Sequence, residues 1–304
     1  MKIKLIPAET KIDFIGKKYI AFVLSAILIA TTVIAVATRG LNYGIDFTGG
    51  ILIEAEFEGL VDLADMRTVL KQANIGDISL QTFGEQNNIL IRVGHSSENS
   101  DQRLTYINKI KQVIGDNFSG NVDYRKVDYV GPKVGSELVK SGVISVLIAL
   151  VAIMLYVWFR FEWQYGVGAI AALFHDAILM IGFFSVTQLE FNLSSFAAIL
   201  TVIGYSINDS VVIFDRIREN MRKYKKLTMS VLLNLSVNDT LSRTIVTSLT
   251  TVLPLISLVI FGGEIIKSFS LAALFGIIIG TYSSIYISAP ILIYMNLRPE
   301  KLAS

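Results

Sequence analysis

Residues 203–220 read I-G-Y-S-I-N-D-S-V-V-I-F-D-R-I-R-E-N, from Ile203 to Asn220. The stretch begins inside a long apolar run and ends among charges, so a boundary between two media falls within it. Arg216, Arg218, Arg222 and Lys223 form a basic edge, and Asp209 sits on its apolar side. On a helix the seven steps from Asp209 to Arg216 cover about 10 Å. A carboxylate at that depth lies below the headgroups if the run crosses a bilayer. Ionisable groups there are costly, which makes Asp209 a functional candidate by default. The competing reading is a structural carboxylate that only pairs two helices.

The surrounding composition agrees with a bilayer. Of 304 residues, 53% are hydrophobic, and the mean hydropathy is +0.58. Several apolar runs approach the roughly 20 residues needed to span a membrane. A net charge of +2 gives a nucleic-acid partner no support. The absence of cysteine excludes disulfides, thiol nucleophiles and Cys-based metal sites. His95 and His175 are too few for a His-rich metal site. No metal or cofactor is expected.

Outward from residue 209, the pattern divides into six spans. Residues 1–18 carry Lys2, Lys4, Lys11, Lys17 and Lys18, and precede a first span at 19–38. Ala35-Val36-Ala37 resembles a signal-peptidase site, but the apolar core exceeds the roughly 7–15 residues of a signal h-region, so the span is read as uncleaved. Further spans are expected at 137–159, 164–187, 193–214, 243–261 and 268–294, with Trp158 and Trp163 at an interface. Ala272, Ala273, Gly276 and Gly280 suit close helix packing in the last. Residues 215–240 are read as a basic connection in which Leu227, Val231, Leu232 and Leu235 form a short amphipathic surface helix. Residues 295–304 are a tail with Arg298 and Lys301. Lys and Arg crowd the segments on one side of these spans, while the short turns opposite hold only Lys267. The asymmetry places both termini in the cytoplasm.

Residues 39–136 differ in kind. Strands are expected at 47–57, 78–83, 89–93 and 122–130, the middle pair a hairpin around residues 84–88. Helices are expected at 62–73, with Leu63, Met66, Val69 and Leu70 inward, and at 97–117, with Leu104, Ile107, Ile110 and Ile114 inward and Asn99 or Ser100 as N-cap. The order βαββαβ is the ferredoxin-like split βαβ arrangement. This predicts an α-helical membrane protein of six transmembrane helices, with one periplasmic ferredoxin-like domain between the first and second. The opening G-I-D-F-T-G-G, with Gly44, Asp46, Phe47, Gly49 and Gly50, lacks a following Lys-Ser or Lys-Thr and any G-x-G-x-x-G. It reads as a structural turn, not a phosphate cradle. The chain carries no nucleotide site of its own and is not expected to be an enzyme.

Four motifs together carry a resemblance: G-I-D-F-T-G-G after the first span, G-P-K-V-G before the second, I-N-D-S-V-V-I-F-D-R-I-R-E-N in the fourth, and L-S-R-T-I-V-T-S-L-T-T followed by G-T-Y-S-S-I. In order and spacing the chain resembles the SecF branch of the SecD/SecF family of bacterial protein-export membrane proteins, within the resistance-nodulation-division superfamily. The resemblance implies a multi-pass inner-membrane subunit acting with SecD, and usually YajC, beside the SecYEG channel. There it would use the proton gradient to draw unfolded preproteins across. It implies a proton path at Asp209 and Arg243, with a matching carboxylate on SecD. Asn208 either orients Asp209 or bonds its neighbours. Asp176 is either a member of the path or a polar tie between helices. His175 is read as a satisfied hydrogen bond. Two other readings stand beside this one: half of a proton-coupled exporter of small molecules or lipids, and a passive assembly subunit.

Overall fold

The computed structural model describes residues 10–73, 75, 77–94, 100–118, 120–295 and 297. Residues 1–9 of the basic N-terminal segment, His95, the candidate cap Asn99, and Arg298 and Lys301 of the tail lie outside the described residues.

The elements run α1 (Lys18–Arg39), α2 (Ile45–Thr48), β1 (Gly50–Phe57), α3 (Leu63–Gln72), β2 (Asp77–Phe83), β3 (Glu85–Gly94), α4 (Ser100–Asn117), β4 (Val122–Val130), α5 (Pro132–Arg160), α6 (Trp163–Thr187), α7 (Leu193–Lys223), α8 (Met229–Phe261) and α9 (Gly263–Ser283). A π-helical segment, Ser284–Ser288, continues α9 into short turns that end at Met295. Among the described residues, six helices are long and apolar enough to cross a membrane: Lys18–Arg39, Lys133–Arg160, Trp163–Thr187, Leu193–Lys223, Met229–Phe261 and Ile266–Met295. The chain divides into two units, one of Met1–Asn42, Ile144–Leu189 and Ser194–Ser304, the other of Tyr43–Val143 and Glu190–Leu193.

In the helical unit, α6 and the last span are the most enclosed and α5 and α8 the least. The side-chain distribution is that of a bilayer. On α1 the buried residues are the small Ala21, Ser25, Thr32 and Ala35, whereas Val23, Ile27, Val33 and Ile34 point outward. Lipid tails solvate large apolar groups as well as a core does, so small residues win the helix contacts. Gly280 packs on α7: an added Cβ would stand 3.0 Å from Ser206 Cβ. Pro254 lies inside α8 without ending it.

The connection expected at 215–240 contains no separate surface helix. α7 runs on to Lys223 and α8 starts at Met229, leaving residues 224–228 between them. Leu232, Leu233 and Val237 are buried against Phe214 and Ile217, while Val231 is 52% exposed. The apolar stripe gains more by packing on α7 than by lying on a surface. Arg216 is held by Asp239 at 2.8 Å and Glu219 at 2.6 Å, and Asn220 donates to Ser236 and Asp239. Residues 10–15 lie along α8. Asn238 Oδ1 accepts from Ile12 N and Asn234 Oδ1 from Phe14 N, while both amide groups donate to Ile12 O.

The second unit has a four-stranded sheet in the order β2-β3-β1-β4, every neighbouring pair antiparallel. With α3 and α4 this is the ferredoxin-like arrangement expected. Asp62 caps α3 by accepting from Ala64 N at 2.7 Å. Ile51, Ile53, Ala55, Ile89 and Ile91 meet Met66, Leu70, Ile110 and Ile114 in one core. Each such aliphatic side chain contributes about 1.5–3 kcal/mol over leaving it in water. Leu104 departs from the expected stripe and is 61% exposed; Ile107 is only partly buried, and Ile110 and Ile114 carry the contact. The hairpin is also tighter than expected, with Gly84 at φ 77 and β3 starting at Glu85.

Candidate functional site

Apolar helices align polar side chains by the 3.6-residue repeat, so a few serines and threonines define faces. On α7, Ser206 and Asp209 share one face and both are buried. Ser206 Oγ donates to Asp176 Oδ2 of α6 at 2.6 Å, and Ser283 Oγ, the end of α9, donates to the same oxygen at 2.8 Å. Asp176 Oδ1 pairs with His175 Nδ1 at 3.0 Å. Asp176 is fully buried and ties α6, α7 and α9 together. His175 is 4% exposed, and its Nε2 is enclosed with no partner among the described residues.

Asp209 is less well served. It is 2% exposed, and its nearest donor is Thr247 Oγ1 of α8, 3.5 Å from Oδ1. That hydroxyl has closer acceptors in the carbonyls of Thr244 at 2.9 Å and Arg243 at 3.1 Å. Asp209 Oδ2 is enclosed without a partner among the described residues. A buried carboxylate so poorly compensated is either costly or in use.

Of the residues the sequence proposes, Asp209 and Arg243 share a neighbourhood through Thr247 but form no ion pair among the described residues; Arg243 is exposed. Asn208 is exposed on the adjacent face of α7, turned away from the side that buries Asp209. Asp176 gathers the partners that Asp209 lacks. Ser206, Thr247 and Ser283 escaped the sequence reading. The signal was present in polar positions within apolar spans, but a hydroxyl gains its meaning only from what it faces.

The end of α9 shows why. Thr281 Oγ1 meets Ser248 of α8 at 2.8 Å, Tyr282 donates its hydroxyl proton to Ala21 O of α1 at 2.7 Å, and Ser283 reaches Asp176 of α6. Successive residues on a helix turn by about 100°, so one tripeptide addresses three neighbours. The π-helical segment starts directly after it. Such segments are frequent at functional sites, and here Pro290 follows, which cannot donate to a preceding carbonyl.

In the other unit, the Gly-rich opening forms a one-turn helix, α2, followed by two glycines at positive φ, Gly49 and Gly50. Gly50 has φ 125, and a Cβ there would meet the Val93 carbonyl. Asp46 Oδ2 accepts from Leu193 N at 3.0 Å. Phe47 packs with Tyr43 and Phe191, centroids 6.3 and 5.7 Å away. Arg92 pairs with Glu190 at 2.6 Å. Gly135, from the G-P-K-V-G stretch, lies where a Cβ would stand 2.8 Å from Phe47 O. The two glycine motifs therefore fold against each other, and residues 190–193 belong to this assembly.

Family models match on both halves of this description. The model for the protein export membrane protein SecD/SecF, C-terminal, matches residues 109–298, and the SecD/SecF GG motif matches residues 34–59. The chain belongs to the SecD/SecF family. It is 50% identical over 300 residues to the protein translocase subunit SecF of Rickettsia bellii, covering 98% of each chain. The same subunit of Rickettsia conorii is 50% identical, covering 98% of this chain and 97% of the relative. The crystal structure of SecDF from Thermus thermophilus superposes with a TM-score of 0.86 at 35% identity, covering 97% of this chain and 40% of that one. A super-membrane-facing form of SecDF gives a TM-score of 0.69 at 34% identity over 95% of this chain and 39% of that one. The SecD/SecF assignment agrees with the six apolar helices and the antiparallel sheet between the first two.

Proposed function

We propose that this chain is a translocase subunit that works with a SecD-type partner to promote the late stage of preprotein export at the expense of a proton gradient. The observation that carries this is Asp209, an enclosed carboxylate with one oxygen unpartnered among the described residues and its nearest hydroxyl at 3.5 Å. A charge that crosses 100 mV releases about 2.3 kcal/mol, so a group that gains and loses a proton at this depth can draw on the gradient. Arg243, one helical turn from Thr247, supplies a guanidinium whose approach would favour the ionised carboxylate and whose withdrawal would favour the proton. The SecDF likeness and the SecF relatives support a SecD partner; in this reading that partner supplies the matching carboxylate. SecYEG, YajC and unfolded preproteins complete the proposed assembly, with both termini in the cytoplasm and residues 39–136 in the periplasm of a bacterial inner membrane.

Translocation of a preprotein into vesicles, with and without a proton gradient, tests this reading. Asp209→Asn should leave the complex assembled and the ATP-driven stage intact, but remove the gradient-dependent part. A wild-type response to the gradient in Asp209→Asn would exclude Asp209 as the carrier.

A further inference from the structure

His175 Nε2 is a buried ring nitrogen with no partner among the described residues, next to a carboxylate that has several. Asp176 Oδ2 receives two hydroxyl protons, from Ser206 and Ser283, which marks it as an acceptor. Oδ1 is then the acceptor for His175 Nδ1–H at 3.0 Å. In a neutral imidazole only one nitrogen carries a proton. With that proton fixed on Nδ1 by the carboxylate, Nε2 is left as a bare lone pair in the interior. A carboxylate on one imidazole nitrogen that fixes which nitrogen carries the proton is a general device.

We propose that His175 Nε2 is a second proton-accepting site of the helical unit, with Asp176 as its positioning residue. The inference rests on the proton-coupled reading above and adds a second site to it. When a proton arrives, an N–H bond forms at Nε2 and the ring becomes an imidazolium whose charge the adjacent carboxylate balances. On release that bond breaks, the electron pair stays on Nε2, and the dyad returns to a single negative charge held by two hydroxyls. The protonated pair is thus the electrically neutral one, which suits an apolar interior.

The surroundings add few competing charges. From the last span Tyr282 lies beside the imidazole, ring centroids 6.0 Å apart, with the ring of Tyr286 tilted against it at 5.3 Å. α7 contributes Ser206 and, one turn on, Asp209. Residues 21–32 of α1 carry no ionisable side chain. The two carboxylates therefore hang from one helix face: Asp209 on α7 itself, and Asp176 through the Ser206 hydroxyl.

The chain holds only two histidines, which makes a direct test practical. The full chain, labelled with 15N-histidine and reconstituted in phosphatidylethanolamine–phosphatidylglycerol bilayers, gives two imidazole signal sets, and His95→Gln assigns them. At mildly alkaline pH the Nε2 of His175 should resonate as an unprotonated nitrogen. On acidification it should move to the protonated position while Nδ1 stays protonated, and Asp176→Asn should abolish the Nδ1–H preference. A proton on Nε2 at alkaline pH would overturn the proposal, as would an Nε2 that takes no proton down to the lowest pH at which the chain stays folded. A tautomer unaffected by Asp176→Asn would remove the positioning role. These signals do not depend on export. Titration of His175 with no gradient effect from Asp209→Asn would sink the proposed function alone. A gradient effect with a silent His175 would sink this inference alone.

Discussion

Ser206 donates to Asp176 from the same face of α7 that carries Asp209 one turn later. The hydroxyl sets the register of α7 against α6, and through it the height at which the poorly compensated carboxylate sits. Hydrogen bonds between membrane helices contribute about 0.6–2 kcal/mol each. Ser206→Ala should therefore lower the unfolding free energy in mild detergent by about that amount. In combination with Asp176→Ala the losses should be less than additive, because each substitution removes that same bond. Strict additivity in the double-mutant cycle would mean that the bond contributes nothing.

Arg243 is exposed and forms no ion pair with Asp209 among the described residues, so its removal breaks no buried pair. Arg243→Met should leave expression, folding and complex assembly near wild type while the gradient-dependent part of translocation disappears. Asp209→Glu should retain part of that activity, since the group still titrates. Loss of assembly in Arg243→Met would point to a structural role instead.

Gly50 and Gly59 make a matched pair. At Gly50 φ is 125 and a Cβ would meet the Val93 carbonyl, whereas at Gly59 nothing lies within 4 Å. Gly50→Ala should destabilise the sheet unit by about 1–3 kcal/mol, seen as faster proteolysis within residues 43–143 of the full chain. Gly59→Ala should stay within about 0.5 kcal/mol of wild type. Equal cleavage rates in the two variants would show that the G-I-D-F-T-G-G backbone is not under the constraint described.

Residues 10–15 are held by two asparagines spaced one helical turn apart. Asn234→Ala removes the acceptor of Phe14 N and Ile15 N. Each lost bond is worth about 0.5–1.5 kcal/mol. A cysteine at Ile12, in this cysteine-free chain, should be modified several times faster in Asn234→Ala than in its parent. Unchanged rates would mean that Asn238 and the packing of Phe14 and Ile15 hold the segment without Asn234.

Side assignment can be tested on intact cells. Single cysteines at Asn87 and at Lys225 should react differently with an impermeant reagent, position 87 being labelled and position 225 protected. The reverse pattern would invert the proposed topology.

The six apolar helices and the βαββαβ order were legible because each depends on local periodicity. Met66 and Leu70, or Ile51 and Ile53, face a core whichever partner they meet. Leu104 was misread because a stripe drawn on a helical wheel does not say where the sheet beneath it ends. The surface helix expected near Leu227 was misread because the residues belong to the ends of two long helices: Leu232 packs on α7 together with Leu233 and Val237, while Val231 of the expected stripe faces outward. Asp209 was legible as an apolar-phase carboxylate. Its contrast with Asp176 was not, because Ser206 and Ser283 lie 30 and 107 residues from Asp176 in the chain. The open nitrogen of His175 was equally hidden, since satisfaction is a property of neighbours.

Thr281, Tyr282 and Ser283 act like three bits of one key, each seated in a different lock. Turning the last helix by one residue would pull all three out together and present each to the wrong lock. Small rotations are therefore penalised at every contact at once, and the helix has no graded intermediate between its present setting and a wholly different one. Bending after Ser283 disturbs none of the three. The π-helical segment that starts at Ser284 is thus the place where this span can yield without unlocking.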